Sequence, residues 1–332
     1  MSDFDLLSIG DVTMDVFMTP TESETLCRMD TKECFVCFSY GDKIPVKRIE
    51  YSVGGNAANN SVGAARLGLK VGLVATLGAD PSGDQVLREL EQEGVGLDFV
   101  IQQPNTGSNY STIINYSSER TIFSYHAPRS YEYPVHMTPA PWIYLTSMGE
   151  TFQPFYKHIV EFMHKNPEVK LAFNPGSRQL RAGIEILKPT MEVTHVIYVN
   201  RKEAQMLTGM NESLGKDKEL LKTLSALGPK ISIITDGSNG SYVYNSLKEE
   251  YFKCGILPVS AHERTGAGDS FGVGCISALV KGKSFEEALI WGTVNSASVI
   301  GYVGSQRGLL KENELSIWLE KAKSCGVKVE RF

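Results

Sequence analysis

The stretch Arg264-Thr265-Gly266-Ala267-Gly268-Asp269-Ser270-Phe271 gathers residue types that one reaction needs in one place. Two glycines around an alanine let a backbone approach a ligand closely. Phe271, Cys275 and Leu279 then recur on one helical face, and Gly282 stands where a C-terminal cap belongs, so the loop opens a helix. The first turn of a helix leaves N–H donors free and its dipole favours negative charge, which makes an anion site. A carboxylate at Asp269 would repel that anion. The conflict resolves if the acid takes a proton from a hydroxyl while the amides stabilise a transferring phosphoryl group. Alone, the segment reads more simply as a plain helix N-terminus with an acidic dipole partner.

Other polar groups stand where such chemistry would need them. Phe4 to Ile9 reads as a buried first strand, and Asp11 and Asp15 follow its end, where open α/β sheets gather ligands. Two carboxylates there can accept hydrogen bonds from a polyol. Gly54-Gly55-Asn56-Ala57-Ala58-Asn59 is a second glycine-rich entry to a helix, with Ala58, Val62 and Ala65 at helical spacing and Gly68 ending it. Tight helix–sheet packing accounts for the same glycines.

These residues need a scaffold, and the pattern supplies one. Buried strand runs at Val71–Ala75, Trp142–Leu145, Leu171–Phe173, Val193–Val199 and Ile231–Ile234 each end in a polar or breaking residue. Helical stretches separate them. Asp80-Pro81 forms an N-cap and first-turn pair, and Ser284-x-x-Glu287 is a capping box whose helix carries Asn295. This alternation predicts a mostly parallel sheet covered on both faces. Two β-rich excursions break it, one from about Phe17 to Ile49 and one from Thr106 to Tyr125, the second with a hairpin turn at Ser117–Arg120. Together they predict a small sheet that covers the site.

Bulk properties narrow the class. A chain of 332 residues with 42% hydrophobic and 21% charged residues fits a globular protein with a large core. A net charge of −5 argues against nucleic acid or an anionic membrane as the main partner. No apolar run reaches the roughly 20 residues of a membrane helix, and the acidic N-terminus lacks a signal-peptide layout, so a cytoplasmic protein is expected. Cys27, Cys34 and Cys37 cluster with a spacing seen in zinc sites, and His126 would have to supply a fourth ligand. Reduced thiols are the expected state.

Familiar nucleotide and hydrolase motifs are absent. Gly282-Lys283-Ser284 lacks the upstream glycine of a P-loop, because position 277 is Ser277. No His-Arg-Asp with Asp-Phe-Gly, no dinucleotide glycine fingerprint and no Gly-x-Ser-x-Gly elbow occurs.

As an ordered set, the motifs resemble the ribokinase-like (PfkB) carbohydrate kinase family over nearly the whole chain. Gly54-Gly55-Asn56 through Gly83-Asp84 is similar to its N-terminal signature, and Thr265 to Phe271 to its C-terminal one. Asn200-x-x-Glu203 and Thr235-Asp236-Gly237-x-x-Gly240 resemble its metal and nucleotide motifs. The resemblance implies a ribokinase-like three-layer α/β sandwich, with residues 1–16, 51–105 and 127–332 as the main domain and 17–50 and 106–126 as a β lid. It implies ATP-dependent phosphorylation of a hydroxyl on a ribose, fructose or keto-sugar acid type of acceptor. Asp269 would be the base, and the amides of Gly266, Ala267 and Gly268 the anion hole. Asn200 and Glu203 would organise Mg²⁺ through water. Thr235, Gly237 and Gly240 would line the nucleotide site, with Asn295 near the adenine. Asp11, Asp15, Gly54, Gly55, Asn56 and Asn59 would face the acceptor. A homodimer through the lid is also implied.

Two alternatives stand beside this reading. A nucleoside acceptor would use Phe38, Tyr40 and Tyr125 to stack its base; a ligand-sensing member of the fold would bind without turnover. The family's usual Asp-Thr is replaced here by Glu263-Arg264, which leaves K⁺ activation open. Arg264 resembles the form in 2-keto-3-deoxygluconate kinases, and for an acidic sugar Arg129 or Arg178 could bind the carboxylate. A surface position beside the nucleotide explains Arg264 as well.

Overall fold

The computed structural model describes residues 3–332 except 22, 29–33, 117, 118, 135 and 261–265. The first strand, Leu6–Ile9, is buried along its whole length, as is Val71–Gly78 beside it. Strands that are apolar on both faces need cover on both, and this sheet has it. Its order runs Val329–Arg331, Glu250–Cys254, Ser241–Asn245, Ile231–Thr235, Val196–Asn200, Lys170–Phe173, Trp142–Leu145, Leu6–Ile9, Val71–Gly78 and Gly96–Gln103. All pairs from Ile231–Thr235 to Gly96–Gln103 are parallel; the remaining edge is antiparallel. The carboxyl ends of the parallel strands therefore open on one side, and Gly10, Thr146, Asn174, Asn200 and Thr235 stand at or just past them.

One face packs against the helices Asn56–Arg66, Ala267–Val280 and Phe285–Val299, with Leu73, Tyr198, Val273 and Val294 in the shared core. The other packs against Phe152–Lys165, Ile184–Val193 and Asp217–Ser225 through Ile9, Phe155, Leu187 and Leu220. The architecture is the three-layer sandwich expected. The caps at Asp80 and Ser284 form as read, each accepting from the backbone three residues on. The helix after Ser284 ends at Val299.

Gly63 brings two of these helices unusually close. A Cβ on it would stand 2.4 Å from Val273 Cγ1, so only hydrogen lets Asn56–Arg66 cross Ala267–Val280 at this distance. That crossing sets Asn59 beside Asp269, which creates the site.

A second sheet has the order Val46–Gly54, Thr13–Pro20, Asn109–Tyr116 and Glu119–Tyr125. Its central pair, Thr13–Pro20 with Asn109–Tyr116, is parallel, and the pairs flanking it are antiparallel. The sheet also starts earlier and ends later in its first segment than residues 17–50, because Thr13 pairs with Gly54. The strands Glu24–Cys27 and Cys34–Cys37 form a separate exposed hairpin. Its register sets Cys27 opposite Cys34, and the two form a disulfide instead of the reduced thiols expected; Cys37 stays free. His126 lies against Asp11, away from a zinc role with these cysteines. The turn at Ser117-Ser118 lies outside the described residues.

Candidate active site

Two cavities meet at Thr235 and Gly268. The first, about 470 Å³, is lined by Asp11, Asn56, Asn174, Glu203, Gly268 and Asp269 among others. The second, about 580 Å³, includes Gly237, Gly240, Ala267, Phe271, Thr293 and Ala297. Asp269 and the helix start it belongs to stand at the junction.

Gly266 opens the helix Ala267–Val280 in the left-handed region, at φ 73°, and a Cβ there would lie 2.7 Å from Ser305 Cβ. Only glycine makes this turn without strain or collision. Among the described residues no side chain caps the helix, so its first amides are available to an anion at the place where Ala267 and Gly268 line the cavities. Tyr198 OH donates to the Gly268 carbonyl and its ring stacks on Phe271 at 5.9 Å, which steadies the loop from below.

Asn59 Nδ2 donates to Asp269 Oδ2 at 3.2 Å. Asn59 is held in turn by Ser305 Oγ at 2.9 Å and Gln306 Nε2 at 3.1 Å, both donating to its Oδ1. Burial pushes the Asp269 carboxyl up to about 6, against the lowering pull of the Asn59 bond. A carboxylate tuned to that range serves as a base near neutral pH.

Asn200 and Glu203 form a reciprocal capping box: Asn200 Oδ1 accepts from Glu203 N at 3.0 Å, and Glu203 Oε2 from Asn200 N at 2.9 Å. The box fixes Glu203 on the wall of the first cavity, and burial raises its pKa. At the end of Ile231–Thr235, Asp236 N donates to Gly240 O at 2.8 Å. Gly240, at φ +88°, has no room for a Cβ beside the Cys254 carbonyl.

On the opposite wall, Asp11 Oδ1 accepts from Tyr131 OH at 2.6 Å, and His126 Nδ1 lies 3.7 Å from Asp11 Oδ2. Burial raises the Tyr131 phenol, so it stays a donor to Asp11. His126 and Ser124, 2.9 Å apart, reach the cavity from the end of the second sheet. Asn174 ties this wall to the sheet: it accepts from Asn56 and Tyr144, both at 3.3 Å, and donates to Tyr198 O at 2.8 Å.

Four sets of expected site residues line neither cavity. Asn295 is fully buried and spent on backbone: its Nδ2 donates to Ser270 O at 2.7 Å and its Oδ1 accepts from Leu310 N at 3.0 Å. Its helix neighbours Thr293, Ser296 and Ala297 line the second cavity instead. Asp15, Gly54, Gly55 and Asn59 line neither cavity. Asp15 accepts from Thr13 Oγ1 at 2.8 Å, and its carboxyl fills the space where a Gly54 side chain would stand. Arg129 is buried, donating to the carbonyls of Thr76 and Gly107 and to Asn109 Oδ1, so it is no anion ligand. Phe38, Tyr40 and Tyr125 line neither cavity. Glu263, Arg264 and Thr265 lie outside the described residues.

The sequence did not single out Tyr131, Asn174 or Tyr198, and it offered His126 only as a zinc ligand; all four reach the site from separate strands and connections. The strand-end position of Asn174 was the one available signal, since it matches that of Asn200.

A parallel sheet with an acid at an open helix N-terminus, between two cavities at its carboxyl end, is the build of a phosphoryl-transfer enzyme. The pfkB family carbohydrate kinase model matches residues 5–312, and the chain belongs to that family. It is 28% identical to a ribokinase of Haemophilus influenzae over 292 residues, covering 85% of this chain and 92% of that protein. It is 25% identical to a nucleoside kinase of Methanocaldococcus jannaschii, covering 84% and 88% of the two chains. The structure of Arabidopsis thaliana ribokinase complexed with ribose and ATP superposes with TM-score 0.79 at 20% identity, covering 96% of this chain and 99% of that one.

Proposed function

We propose that this kinase transfers the γ-phosphoryl group of ATP to a hydroxyl of a small sugar-like acceptor, with Asp269 as general base. The position of its carboxyl carries the reading: it stands beside uncapped amides where the two cavities join. The acceptor O–H gives its proton to Asp269 while its oxygen attacks the γ-phosphorus. The bond to the β–γ bridging oxygen breaks and ADP leaves. The amides of Gly266, Ala267 and Gly268 take up charge on the transferring group.

Thr235, Gly237 and Gly240 hold the nucleotide in the second cavity. Asp11 and Asn56 orient the acceptor in the first, with Asp15, Gly54, Gly55 and Asn59 as the wall behind them. Among the described residues no three His, Cys, Asp or Glu side chains gather as a metal cage. The free edge of Glu203 fits a Mg²⁺ carried by phosphates and water, with Asn200 holding that carboxylate in place. When bound, the ion would offset phosphate charge.

The second sheet acts as the lid that excludes water, the competing acceptor. Its exposed apolar side chains, Ile49, Tyr51, Ile122, Phe123 and Tyr125, support a homodimer formed through this sheet. Sedimentation velocity tests the dimer. A cytoplasmic setting follows from the supply of ATP. Coupled ADP formation over sugars, sugar acids, sugar phosphates and nucleosides tests the activity; ADP release with none of them removes the assignment.

A further inference from the structure

We infer that the acceptor carries an anionic group, a carboxylate or phosphate ester, and that Arg178 and Arg181 read it. This rests on the kinase reading above and names the acceptor class.

Both arginines project from the short helix Ser177–Ala182, which follows the strand Lys170–Phe173 and the link Asn174-Pro175-Gly176. The helix has a rigid mount. Gln179 is fully buried and its Nε2 donates to Met148 O at 2.9 Å, while Leu180 is buried in the core. Gly176 packs so closely on Ser147 that a Cβ would stand 2.3 Å from the serine Cβ. Arg178 and Arg181, at i and i+3, share a helix face, and both line the first cavity.

Their charge is unused. Arg66 forks onto Glu93, and Arg201 pairs with Asp217 and Asp236. Arg178 and Arg181 have no ion pair or hydrogen bond among the described residues. The acids on the same cavity are engaged elsewhere: Asp11 with Tyr131, Glu203 with Asn200 N, Asp269 with Asn59. Two like charges one helical turn apart disfavour each other until an anion joins them. Guanidinium forks bind a carboxylate or phosphate in bidentate fashion.

The pair lies away from the loop of Gly237 and Gly240. It shares a cavity with Asp11 and Asn56, and also with Asn200 and Glu203, whereas the cavity of Gly237 and Gly240 includes neither arginine. The inference assigns the anion to the acceptor; an effect on ATP alone would assign it to the transferring phosphates instead.

The test compares coupled ADP formation from sugar acids and sugar phosphates with their neutral parent sugars and with nucleosides. An anionic acceptor should have the highest kcat/KM. Arg178→Ala should lower that value by about 10- to 100-fold, with the KM for ATP unchanged. Arg178→Lys should restore part of it, and nucleotide binding serves as the check on folding. Preference for neutral acceptors, or an Arg178→Ala defect confined to the KM for ATP, overturns the inference while leaving the kinase reading intact. ADP from no acceptor overturns both.

Discussion

Asn59 Nδ2 donates to Asp269 Oδ2 at 3.2 Å across a sequence separation of 210 residues. The bond joins the two glycine-rich helix entries, and it opposes the burial that raises the Asp269 pKa. Asn59 is thus a positioning residue for the base. Asn59→Ala should remove the lowering influence, so the acid limb of the kcat/KM profile should move to higher pH. It also strands Ser305 Oγ and Gln306 Nε2, at a cost of about 1–3 kcal/mol. Rate profiles and urea unfolding check the two effects separately.

The wild-type pH profile follows from the same carboxyl. Asp269 must be ionised to accept a proton, and its pKa stands at about 6. The value of kcat/KM should therefore rise with pH through about 6. A profile still falling toward alkaline pH across that range would be incompatible with this base.

Asp269→Asn should make the protein more stable as well as inactive. The folded chain holds the Asp269 proton more tightly than the unfolded chain does, so ionisation weakens folding as pH climbs from 3.8 to about 6. The variant, which keeps an oxygen for Asn59, escapes that loss. Its advantage should be absent below pH 3.8, grow up to about pH 6 and then level off, on the order of 3 kcal/mol. Chemical denaturation at several pH values measures it.

Gly63 tests the crossing that builds the site. Gly63→Ala places a Cβ 2.4 Å from Val273 Cγ1, on a side chain with little rotamer freedom. A loss of about 1–3 kcal/mol is expected, together with a lower kcat, because the crossing sets the Asn59–Asp269 distance. An unchanged melting temperature would contradict the packing argument.

His126 links the second sheet to Asp11. His126→Ala should raise the KM for the acceptor severalfold and leave the KM for ATP unchanged, as steady-state kinetics with each substrate varied would show.

Much of this was legible in the sequence. Buried strands ending in polar residues marked the parallel sheet, and the capping signals at Asp80 and Ser284 marked helix starts. Asp11, Asn56, Glu203, Thr235, Gly268 and Asp269 converge on the cavities because strand ends and helix starts share one side of such a sheet. Side-chain direction was the harder part. Asn295 sits mid-helix near the second cavity, yet it turns inward to satisfy Leu310 N and Ser270 O. Arg129 reads as a free cation in sequence, but only tertiary packing reveals the carbonyls it holds. The Cys27–Cys34 pairing depended on hairpin register, which the spacing of three cysteines leaves open.

The central claim is that Asp269 removes the acceptor proton during phosphoryl transfer. Its most direct test is ADP formation by Asp269→Asn with the best acceptor, alongside the variant's affinity for ATP. Turnover should fall by about 100- to 10,000-fold with ATP affinity retained. Turnover near the wild-type rate would contradict the account.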